Sequence, residues 1–293
     1  MSRLTQPVEG KAIMSARLFV LLPVRNGEND LPEYFRSVSR FADGVIALDD
    51  GSTDATSQIL RRERLVLEML QNPRRETYVG WNHSENSSRL LDACSKYEPD
   101  WVFQLDADEV LDDSESLPLR QFVETEAIPN VAYGLQVHRM IDDMEHFDKN
   151  GLWVYRLFKY KFGQQLPSGM LHVDPVPTSI PGERWVRTRF RIKHRAGVTE
   201  GKRRARYEKY LLVDPDRSWQ SSYENLLDPP VRKEYFEPFD SSAGLVLDRE
   251  LHRKLATEAS LTSALNEALA TNATADDLDF LRQRRFGGPS PLV

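Results

Sequence analysis

Apolar and polar residues alternate in blocks over the first hundred residues of the chain. Short, mainly apolar runs are typical of strands buried on both faces, and segments with apolar residues at helical spacing separate them. The strand-like runs are Arg17–Pro23, Gly44–Asp49, Leu65–Leu70 and Trp101–Leu105, and the helical segments are Leu31–Phe41, Asp54–Arg64 and Ser84–Lys96. Strands that alternate with helices at this spacing predict a parallel, doubly wound α/β sheet.

The pattern changes after the fourth strand-like run. Val131–His138, Trp153–Lys161 and Trp185–His194 are predicted to be extended, with one helix at Pro118–Glu124. We expect mixed or antiparallel strands here, which complete the sheet.

The last third of the chain is predicted to be helical. Glu200–Leu212 is highly charged, and Leu245–Ala270 carries leucines at i, i+4 spacing, a stripe that more often packs on the parent domain than on a partner. The leucines are Leu247, Leu251 and Leu255. The predicted division is a loose tail at 1–15, an α/β domain at 16–198 and a helical extension at 199–293. The end of the extension, after Thr271, is expected to be frayed.

Composition and charge limit the classes of function. A net charge of −6 argues against a general affinity for nucleic acid, which requires basic surfaces. The single cysteine, Cys94, excludes an intramolecular disulfide and a cysteine zinc cluster, and we expect it to be buried on a helix. The longest apolar run, Leu18–Leu22, is too short to cross a bilayer, and no secretory signal precedes it. We expect a soluble, cytoplasmic protein with no transmembrane segment, which can meet a membrane only peripherally.

Polar clusters follow three of the predicted strands. They are Pro23–Glu28, Asp49–Asp54 and Asp106–Glu109. In a doubly wound sheet, ligands bind beyond the carboxyl ends of the strands, so we expect these clusters to form one site.

Asp106 and Asp108 are candidate metal ligands. Residues two apart in an extended segment point the same way, so both carboxylates can face one site while Ala107 packs behind them. Two such carboxylates repel each other unless a cation lies near them, and oxygen ligands suit Mg²⁺ or Mn²⁺. A solvated acidic turn is the simpler alternative for so short a pattern.

Asp50 is a candidate nucleotide contact. Its carboxylate can accept a hydrogen bond from a base or a ribose. The same segment, Asp49–Asp54, can also serve only as a strand-to-helix turn, because Gly51 permits tight geometry and the polar residues after it can cap a helix.

Three segments taken together resemble family 2 glycosyltransferases. They are Leu21–Glu28, Ala47–Thr56 and Gln104–Leu111, and the resemblance extends over about residues 17–195. It implies a Rossmann-like GT-A fold, a three-layer α/β/α arrangement with a central, mostly parallel sheet, followed here by the C-terminal helical extension. It also implies a nucleotide-diphosphate sugar as donor, a divalent cation, and usually inversion at the anomeric carbon. We expect Mn²⁺ or Mg²⁺ as the cation, favour a UDP-sugar, and expect a glycan, lipid-linked or small-molecule acceptor.

The resemblance also implies roles for individual residues. The residues expected to contact the donor are Pro23, Val24, Arg25, Asn26, Glu28, Asp50, Asp106 and Ala107. Asp106 is expected at the ribose or the metal, and Asp108 at the metal.

The downstream half resembles a branch of this family with an Arg-Leu-Phe segment, a Leu-His element and a second histidine. Here these are Arg156–Phe158, Leu171 with His172, and His194. His194 ends a predicted strand and is a candidate third metal ligand, because an imidazole nitrogen suits Mn²⁺ better than Mg²⁺. A hydrogen-bonded histidine at a strand end is the equal alternative, and His172 is the weaker candidate.

Asp174 is the candidate catalytic base. An inverting displacement needs a group that takes the proton of the acceptor hydroxyl. Many family members carry a Glu-Asp pair for this purpose, and this chain has none at the corresponding place. Asp174 is the best substitute, although an aspartate before Pro175 can also simply begin a turn.

Several cationic and aromatic residues have both structural and functional interpretations. Arg89 and the basic run in 202–206 are candidates for contact with donor phosphates or an anionic acceptor, although a charge run on a helix is usually a solvated face. The basic run comprises Lys202, Arg203, Arg204 and Arg206. Trp81, Trp153 and Trp185 could stack on a sugar, but tryptophan in strands is more often core.

Three other functions compete with glycosyl transfer. A haloacid dehalogenase-type phosphatase needs two aspartates two residues apart after the first strand, whereas Asp49 and Asp50 are adjacent and follow the second. A nucleotidyltransferase needs a glycine-rich, basic loop after the first strand, which Pro23–Glu28 lacks. A non-catalytic protein that binds a nucleotide sugar or a carbohydrate is the main rival.

Overall fold

The computed structural model describes residues 15–148, 151–169, 173–229 and 233–270. Its main sheet has eight strands in the order β3-β2-β1-β4-β8-β6-β9-β5, and β7 pairs with β10 in a separate antiparallel ribbon. The strands are β1 Leu18–Val24, β2 Gly44–Asp49, β3 Val66–Gln71, β4 Trp101–Gln104, β5 Glu109–Leu111, β6 Ala132–Arg139, β7 His146–Phe147, β8 Leu152–Lys159, β9 Trp185–His194 and β10 Glu234–Tyr235. The helices are α1 Leu31–Val38, α2 Thr56–Arg62, α3 His83–Cys94, α4 Asp113–Thr125, α5 Glu200–Val213 and α6 Arg249–Ala270.

The first four strands in the sheet order, β3, β2, β1 and β4, are all parallel. Val24 at the end of β1 pairs with Asp49 at the end of β2, and Leu21 of β1 pairs with Gln104 at the end of β4. The far half is mixed, since β8 is antiparallel to β4 and β6, and β9 runs parallel to β6. The polar segments that follow β1, β2 and β4 therefore meet at one edge of the sheet, as predicted.

Helices cover both faces of the sheet. Buried residues of α1, α2, α4 and α6 share one core with the sheet, and buried residues of α3 pack in a second core on the opposite face. Cys94 of α3 is fully buried there, and burial raises the pKa of its thiol to about 12. The predicted three-layer α/β/α architecture is confirmed.

Helix α1 shows how the sequence pattern produces this packing. Leu31, Tyr34, Phe35 and Val38 recur at helical spacing, and all four are buried against the sheet. Pro32 lies in the first turn, where its missing N–H costs no hydrogen bond. Helix α1 can therefore begin immediately after the polar loop that ends β1.

Two helix boundaries differ from the prediction. Helix α4 begins at Asp113, five residues before the predicted Pro118, because the Asp112 carboxylate accepts the Ser114 N–H at 3.0 Å and caps the helix. Helix α6 begins at Arg249 rather than Leu245. The preceding Val246 bridges to Thr188 of β9, so this segment is extended along the sheet.

The C-terminal helices contact the α/β part of the chain. Leu255 of α6 is buried and Leu251 packs beside it, whereas Leu247 is 39% exposed. The Arg184 guanidinium lies 3.0 Å from the Glu258 carboxylate, which links α6 to the start of β9. None of the helices in the described ranges is long and apolar enough to cross a membrane. The predicted tails, at 1–15 and after Thr271, lie outside the described residues except for Ser15.

Candidate active site

The loops that follow β1, β2 and β4 contact one another at the carboxyl edge of the sheet. The Gly27 N–H donates to the Thr56 hydroxyl at 2.7 Å, which joins the first loop to the second. A Cβ placed on Gly27 would lie 3.6 Å from the Ala107 Cβ, so the third loop lies directly beside the first. The three predicted polar clusters thus form one continuous surface.

The β1 loop uses most of its polar side chains to hold this surface together. The side-chain amide oxygen of Asn26 accepts the Thr53 N–H at 2.8 Å, and the Glu28 carboxylate accepts the Ala55 N–H at 3.0 Å. Val24 is buried in the core. Among the residues predicted to contact the donor, Val24, Asn26 and Glu28 therefore have structural partners in the protein.

Asp50 lies at the end of β2 and is only 2% exposed. Its carboxylate accepts hydrogen bonds from the Asn72 amide at 2.5 Å and from the Arg75 guanidinium. Arg89 of α3 donates to the side-chain oxygen of the same Asn72 amide. Asp50, Asn72, Arg75 and Arg89 thus form one hydrogen-bonded cluster, which joins two of the predicted site residues through two that the sequence did not indicate.

Position 51 requires a glycine, because the loop after β2 lies very close to the segment that follows β3. The φ of Gly51 is +73°, and a Cβ at this position would lie 2.2 Å from the Pro73 carbonyl oxygen. A side chain here would therefore push the segment after β3 away from Asp50.

Arg25 supports the segment that follows β3. Its guanidinium donates to the Arg75 carbonyl at 2.6 Å and to the Thr77 carbonyl, and it lies 4.4 Å from the centre of the Tyr78 ring. Burial raises the pKa of Tyr78, the Asp108 and Asp50 carboxylates raise it further, and Arg25 opposes them. The Tyr78 hydroxyl therefore lies in the field of both predicted aspartate clusters.

Asp106 and Asp108 lie on a turn, not on the extended segment that the sequence suggests. The Glu109 N–H donates to the Asp106 carbonyl at 3.0 Å, and the Glu109 carboxylate accepts the Asp106 N–H at 3.0 Å. Glu109 is buried and pairs at 2.5 Å with Arg156 of β8. The reciprocal contacts of Glu109 close the turn, and Ala107 still packs against the core as predicted.

Asp106 has one oxygen atom without a partner. Its Oδ2 lies 3.8 Å from the Arg156 guanidinium, whereas its Oδ1 is buried and makes no hydrogen bond among the described residues. Burial lowers the pKa of Arg156, but the negative charges of Glu109 and Asp106 have a larger effect, and the pKa is raised overall. An unsatisfied carboxylate oxygen beside a polar loop is a natural position for an added ligand.

Asp108 contacts His194 directly. The His194 Nε2 lies 3.1 Å from the Asp108 carboxylate, and its Nδ1 lies 3.3 Å from the Arg206 guanidinium of α5. Burial alone would raise the pKa of Asp108, but attraction to His194, Arg206 and Lys209 outweighs it, and the pKa lies well below its usual range. Asp108 is therefore a carboxylate that stays ionised.

The predicted metal ligands fit a cation in part. Within the described ranges, no group of three His, Cys, Asp or Glu side chains is arranged to hold a metal, and His194 faces Asp108 rather than joining Asp106. The free Asp106 oxygen and the ionised Asp108 are both suitable oxygen ligands for Mg²⁺ or Mn²⁺. The weaker candidate, His172, lies outside the described residues.

Asp174 lies next to Tyr155 of β8, the residue that precedes Arg156. Its carboxylate accepts the Tyr155 N–H at 3.0 Å. Burial raises the pKa of Asp174, and the Tyr155 hydrogen bond and the charge of Arg156 only partly oppose this. Arg156 thus acts electrostatically on Asp106, Glu109 and Asp174, which connects the predicted base to the predicted metal-binding turn.

Helix α5 brings cations to the site. Lys209 lies 4.1 Å from the centre of the Trp81 ring and 5.2 Å from that of Tyr78, and its charge lowers the pKa of Asp108. In the basic run, Arg206 contacts His194, whereas Lys202 pairs with Asp30 at 2.5 Å. Of the other two members of the run, Arg203 donates to the Gly197 carbonyl, and Arg204 is exposed.

His83, at the first position of α3, is a further residue that the sequence did not indicate. Its Nε2 lies 3.3 Å from the Gln104 amide at the end of β4. The pKa of His83 is lowered, chiefly by burial. The charges of Arg156 and Lys209 lower it further, and the Asp106 carboxylate opposes the shift. The imidazole therefore lies among the same groups as the aspartates.

The tryptophans that the sequence singled out have different environments. Trp81 lies beside His83 and Lys209 at the site. Trp185 packs on Tyr155 with ring centres 4.8 Å apart and donates to the Ile180 carbonyl, as expected for a structural residue. Trp153 of β8 faces the Arg187 guanidinium of β9, which lies 5.8 Å from the centre of its ring.

Two curated mycobacterial proteins are similar to this chain. Uncharacterized protein Mb3815c of Mycobacterium bovis and Uncharacterized protein Rv3786c of Mycobacterium tuberculosis are each 24% identical over 269 residues. The alignments cover 80% of this chain, and the chain spans 64% of the length of these relatives.

Solved structures with partial similarity include that of S. aureus TarS. It superposes with a TM-score of 0.41 at 12% identity, over 70% of this chain and 44% of that one. Its 1–349 fragment in complex with UDP-GlcNAc gives a TM-score of 0.32 at 17% identity, over 43% of this chain and 34% of that one. The similarity to both structures is confined to part of each chain.

The sequence model described as Glycosyl transferase family 2 matches residues 19–176. The match contains β1 to β8 and includes Asp50, Asp106, Asp108 and Asp174. It ends before His194 and α5. Since it covers more than half of the 293 residues, the chain belongs to glycosyltransferase family 2.

Proposed function

We propose that the chain transfers a sugar from a nucleotide-diphosphate sugar to an acceptor hydroxyl, assisted by a divalent cation. The observation that carries the proposal is the position of Asp50, Asp106 and Asp108 at the carboxyl ends of β2 and β4, the parallel strands on either side of β1, within the span that matches the family. This edge is where doubly wound sheets bind nucleotides.

The nucleoside is proposed to bind near the Asp50 cluster. Because Arg75 and Asn72 already occupy the Asp50 carboxylate, a base or ribose must either displace Arg75 or bind to the exposed groups of these partners. We propose that the donor is a UDP-sugar, so that the bound nucleobase is uracil. Pro23, Arg25 and Arg89 border this region, with Arg25 and Arg89 acting through Thr77 and Asn72.

Asp106 and Asp108 are proposed to hold Mn²⁺ or Mg²⁺, with His194 orienting Asp108. A bound divalent cation would supply Lewis-acid stabilisation of the charge that develops on the leaving diphosphate. Arg206 and Lys209 of α5 are close enough to Asp108 to lower its pKa, and we propose that they bind the same phosphates by charge-assisted hydrogen bonds.

Asp174 is proposed to act as the general base of an inverting displacement. The acceptor oxygen forms a bond to the anomeric carbon as the bond from that carbon to the diphosphate breaks, and the hydroxyl proton passes to Asp174. The raised pKa of Asp174 suits this task, because a base is most effective when its pKa approaches the working pH. The acceptor is a glycan, a lipid-linked sugar or a small molecule, and we propose that the reaction takes place in the cytoplasm.

A thermal-shift panel tests the donor. UDP-, GDP-, CMP- and dTDP-linked sugars are each added with and without Mn²⁺, and one nucleotide class is expected to raise the melting temperature. Release of labelled sugar from that donor in the presence of Mn²⁺ then measures turnover. Stabilisation without turnover would support the alternative, a non-catalytic protein that binds a nucleotide sugar or a carbohydrate.

Lys209→Ala is expected to weaken donor binding. Loss of one charge-assisted hydrogen bond to the diphosphate should raise the donor KM about tenfold or more, since such a bond contributes about 1.5–3 kcal/mol. Steady-state kinetics measure the change. Lys254→Ala, which removes an exposed lysine of α6, is the matched control and should leave KM unchanged. Equal KM values in the two variants would contradict a role for Lys209 at the donor.

A further inference from the structure

A groove runs beside the candidate active site, between the first turns of α3 and the segment 166–169. Its volume is about 490 Å³, within the range of about 300–1,000 Å³ that is usual for small-molecule sites. The lining combines polar side chains with two large apolar ones. The polar residues include Ser84, Glu85, Ser88 and Ser168, and the apolar residues are Leu166 and Trp219.

Trp219 is an exposed residue on an ordered loop. Its side chain lines the groove, and the residue is 45% exposed. The buried Asp214 carboxylate accepts the Ser218 N–H at 2.8 Å, the Trp219 N–H at 3.1 Å and the Tyr223 hydroxyl at 2.7 Å. These three hydrogen bonds fix the backbone that carries the indole. A large aromatic side chain held at the surface in this way is prepared for a ligand rather than for the core.

The groove lies next to the proposed base. Ser84 and Leu166 line both the groove and a smaller cavity beside it, and the walls of that cavity include His83 and Asp174. That cavity is too narrow for a water molecule, so a ligand in the groove next to Trp219 lies near Asp174 and reaches its carboxylate when the shared walls, Ser84 and Leu166, move apart.

The chemistry of the lining selects the class of ligand. An indole face suits the C–H face of a sugar ring, and serine hydroxyls and a carboxylate suit its hydroxyl groups. Among the residues that the structure describes, the lining contains the Glu85 carboxylate and no lysine or arginine, which disfavours an anionic ligand. The cations near the donor site, Arg206 and Lys209, lie on α5 and are not part of this lining.

We propose that this groove is the acceptor subsite and that it binds a neutral carbohydrate, with one ring stacked on Trp219 and a hydroxyl directed toward Asp174. The assignment as an acceptor subsite rests on the proposed function. The binding of a carbohydrate in the groove does not depend on it and can be measured alone.

Saturation-transfer NMR with the full chain tests the binding. The probes are the methyl β-glycosides of glucose, galactose, mannose and N-acetylglucosamine. At least one is expected to bind, with binding about tenfold weaker in Trp219→Ala and largely restored in Trp219→Phe, which keeps an aromatic ring. Tyr235→Ala, which removes an exposed aromatic residue of β10 outside the groove lining, is expected to behave as the unchanged protein.

Two results would overturn the proposal. One is the absence of binding by all four glycosides, and the other is equal binding by the unchanged chain and by Trp219→Ala. The donor thermal shift in the same variants separates the two hypotheses. Trp219-dependent glycoside binding without any donor stabilisation would contradict the proposed transferase function, while the groove would still be a carbohydrate site.

Discussion

Asp174→Asn is expected to lower kcat for sugar transfer by about 10²–10⁴-fold, the usual contribution of a positioned general base. Asparagine keeps the shape and can still accept the Tyr155 N–H, but it cannot take the acceptor proton. Donor binding should persist, because Asp174 is not among the residues proposed to contact the nucleotide, the cation or the diphosphate. Transfer kinetics together with the donor thermal shift measure both effects.

The pH profile gives a second measure of the same assignment. A base works in its deprotonated form, so kcat/KM should fall as the pH is lowered through the pKa of Asp174. Because burial raises that pKa, the fall should lie above pH 3.8, the ordinary value for an aspartate. Asp142→Asn, at an exposed aspartate, is the control and should keep both the rate and the profile. An unchanged profile in Asp174→Asn would assign the base to another group.

Asp108→Asn is expected to abolish the part of donor stabilisation that depends on Mn²⁺ and to lower kcat by about 10²-fold or more. A neutral amide is a weaker ligand for a hard divalent cation, and each lost stabilisation of the leaving oxygens costs about 10²–10³ in rate. The substitution also removes the negative charge that faces His194, Arg206 and Lys209. Melting curves with and without Mn²⁺ measure the first effect, and single-turnover transfer measures the second.

The control for this substitution is Asp92→Asn, at an exposed aspartate on α3. It makes the same chemical change away from the carboxyl edge and should leave the Mn²⁺ response intact. A donor shift in Asp108→Asn that responds to Mn²⁺ as fully as in the unchanged chain would remove Asp108 from the proposed ligand set.

The parallel half of the fold could be predicted from the sequence because it depends on local patterns. β1, β2 and β4 are short apolar runs, and their observed bounds lie within a residue of the predicted ones. The rule that ligands bind at the carboxyl ends of strands then brought Asp50, Asp106 and Asp108 to one edge. The small strand β5 was missed, since Glu109–Leu111 is too short to show a period.

The partners of these aspartates could not be predicted in the same way. Arg75 reaches Asp50 across 25 residues, and Arg156 reaches Glu109 across 47, and neither contact leaves a local periodic signal. The orientation of Asp106 and Asp108 was predicted from an extended segment, whereas Glu109 folds that segment into a turn.

One signal for the missed residues was present in the sequence. β3 is also a parallel strand, so the segment after its carboxyl end belongs to the same edge of the sheet. That segment carries Asn72, Arg75 and Tyr78, and His83 follows it at the start of α3. Applying the strand-end rule to β3 would have placed all four at the site.

The position of α5 has a consequence for engineering within the family. The family match ends at residue 176, yet Arg206 and Lys209 of α5 complete the electrostatic surroundings of Asp108. A chimaera joined at the end of the matched span would inherit the aspartates without these two cations. Exchange of catalytic modules between related proteins should therefore carry α5 along with the module, as its C-terminal boundary.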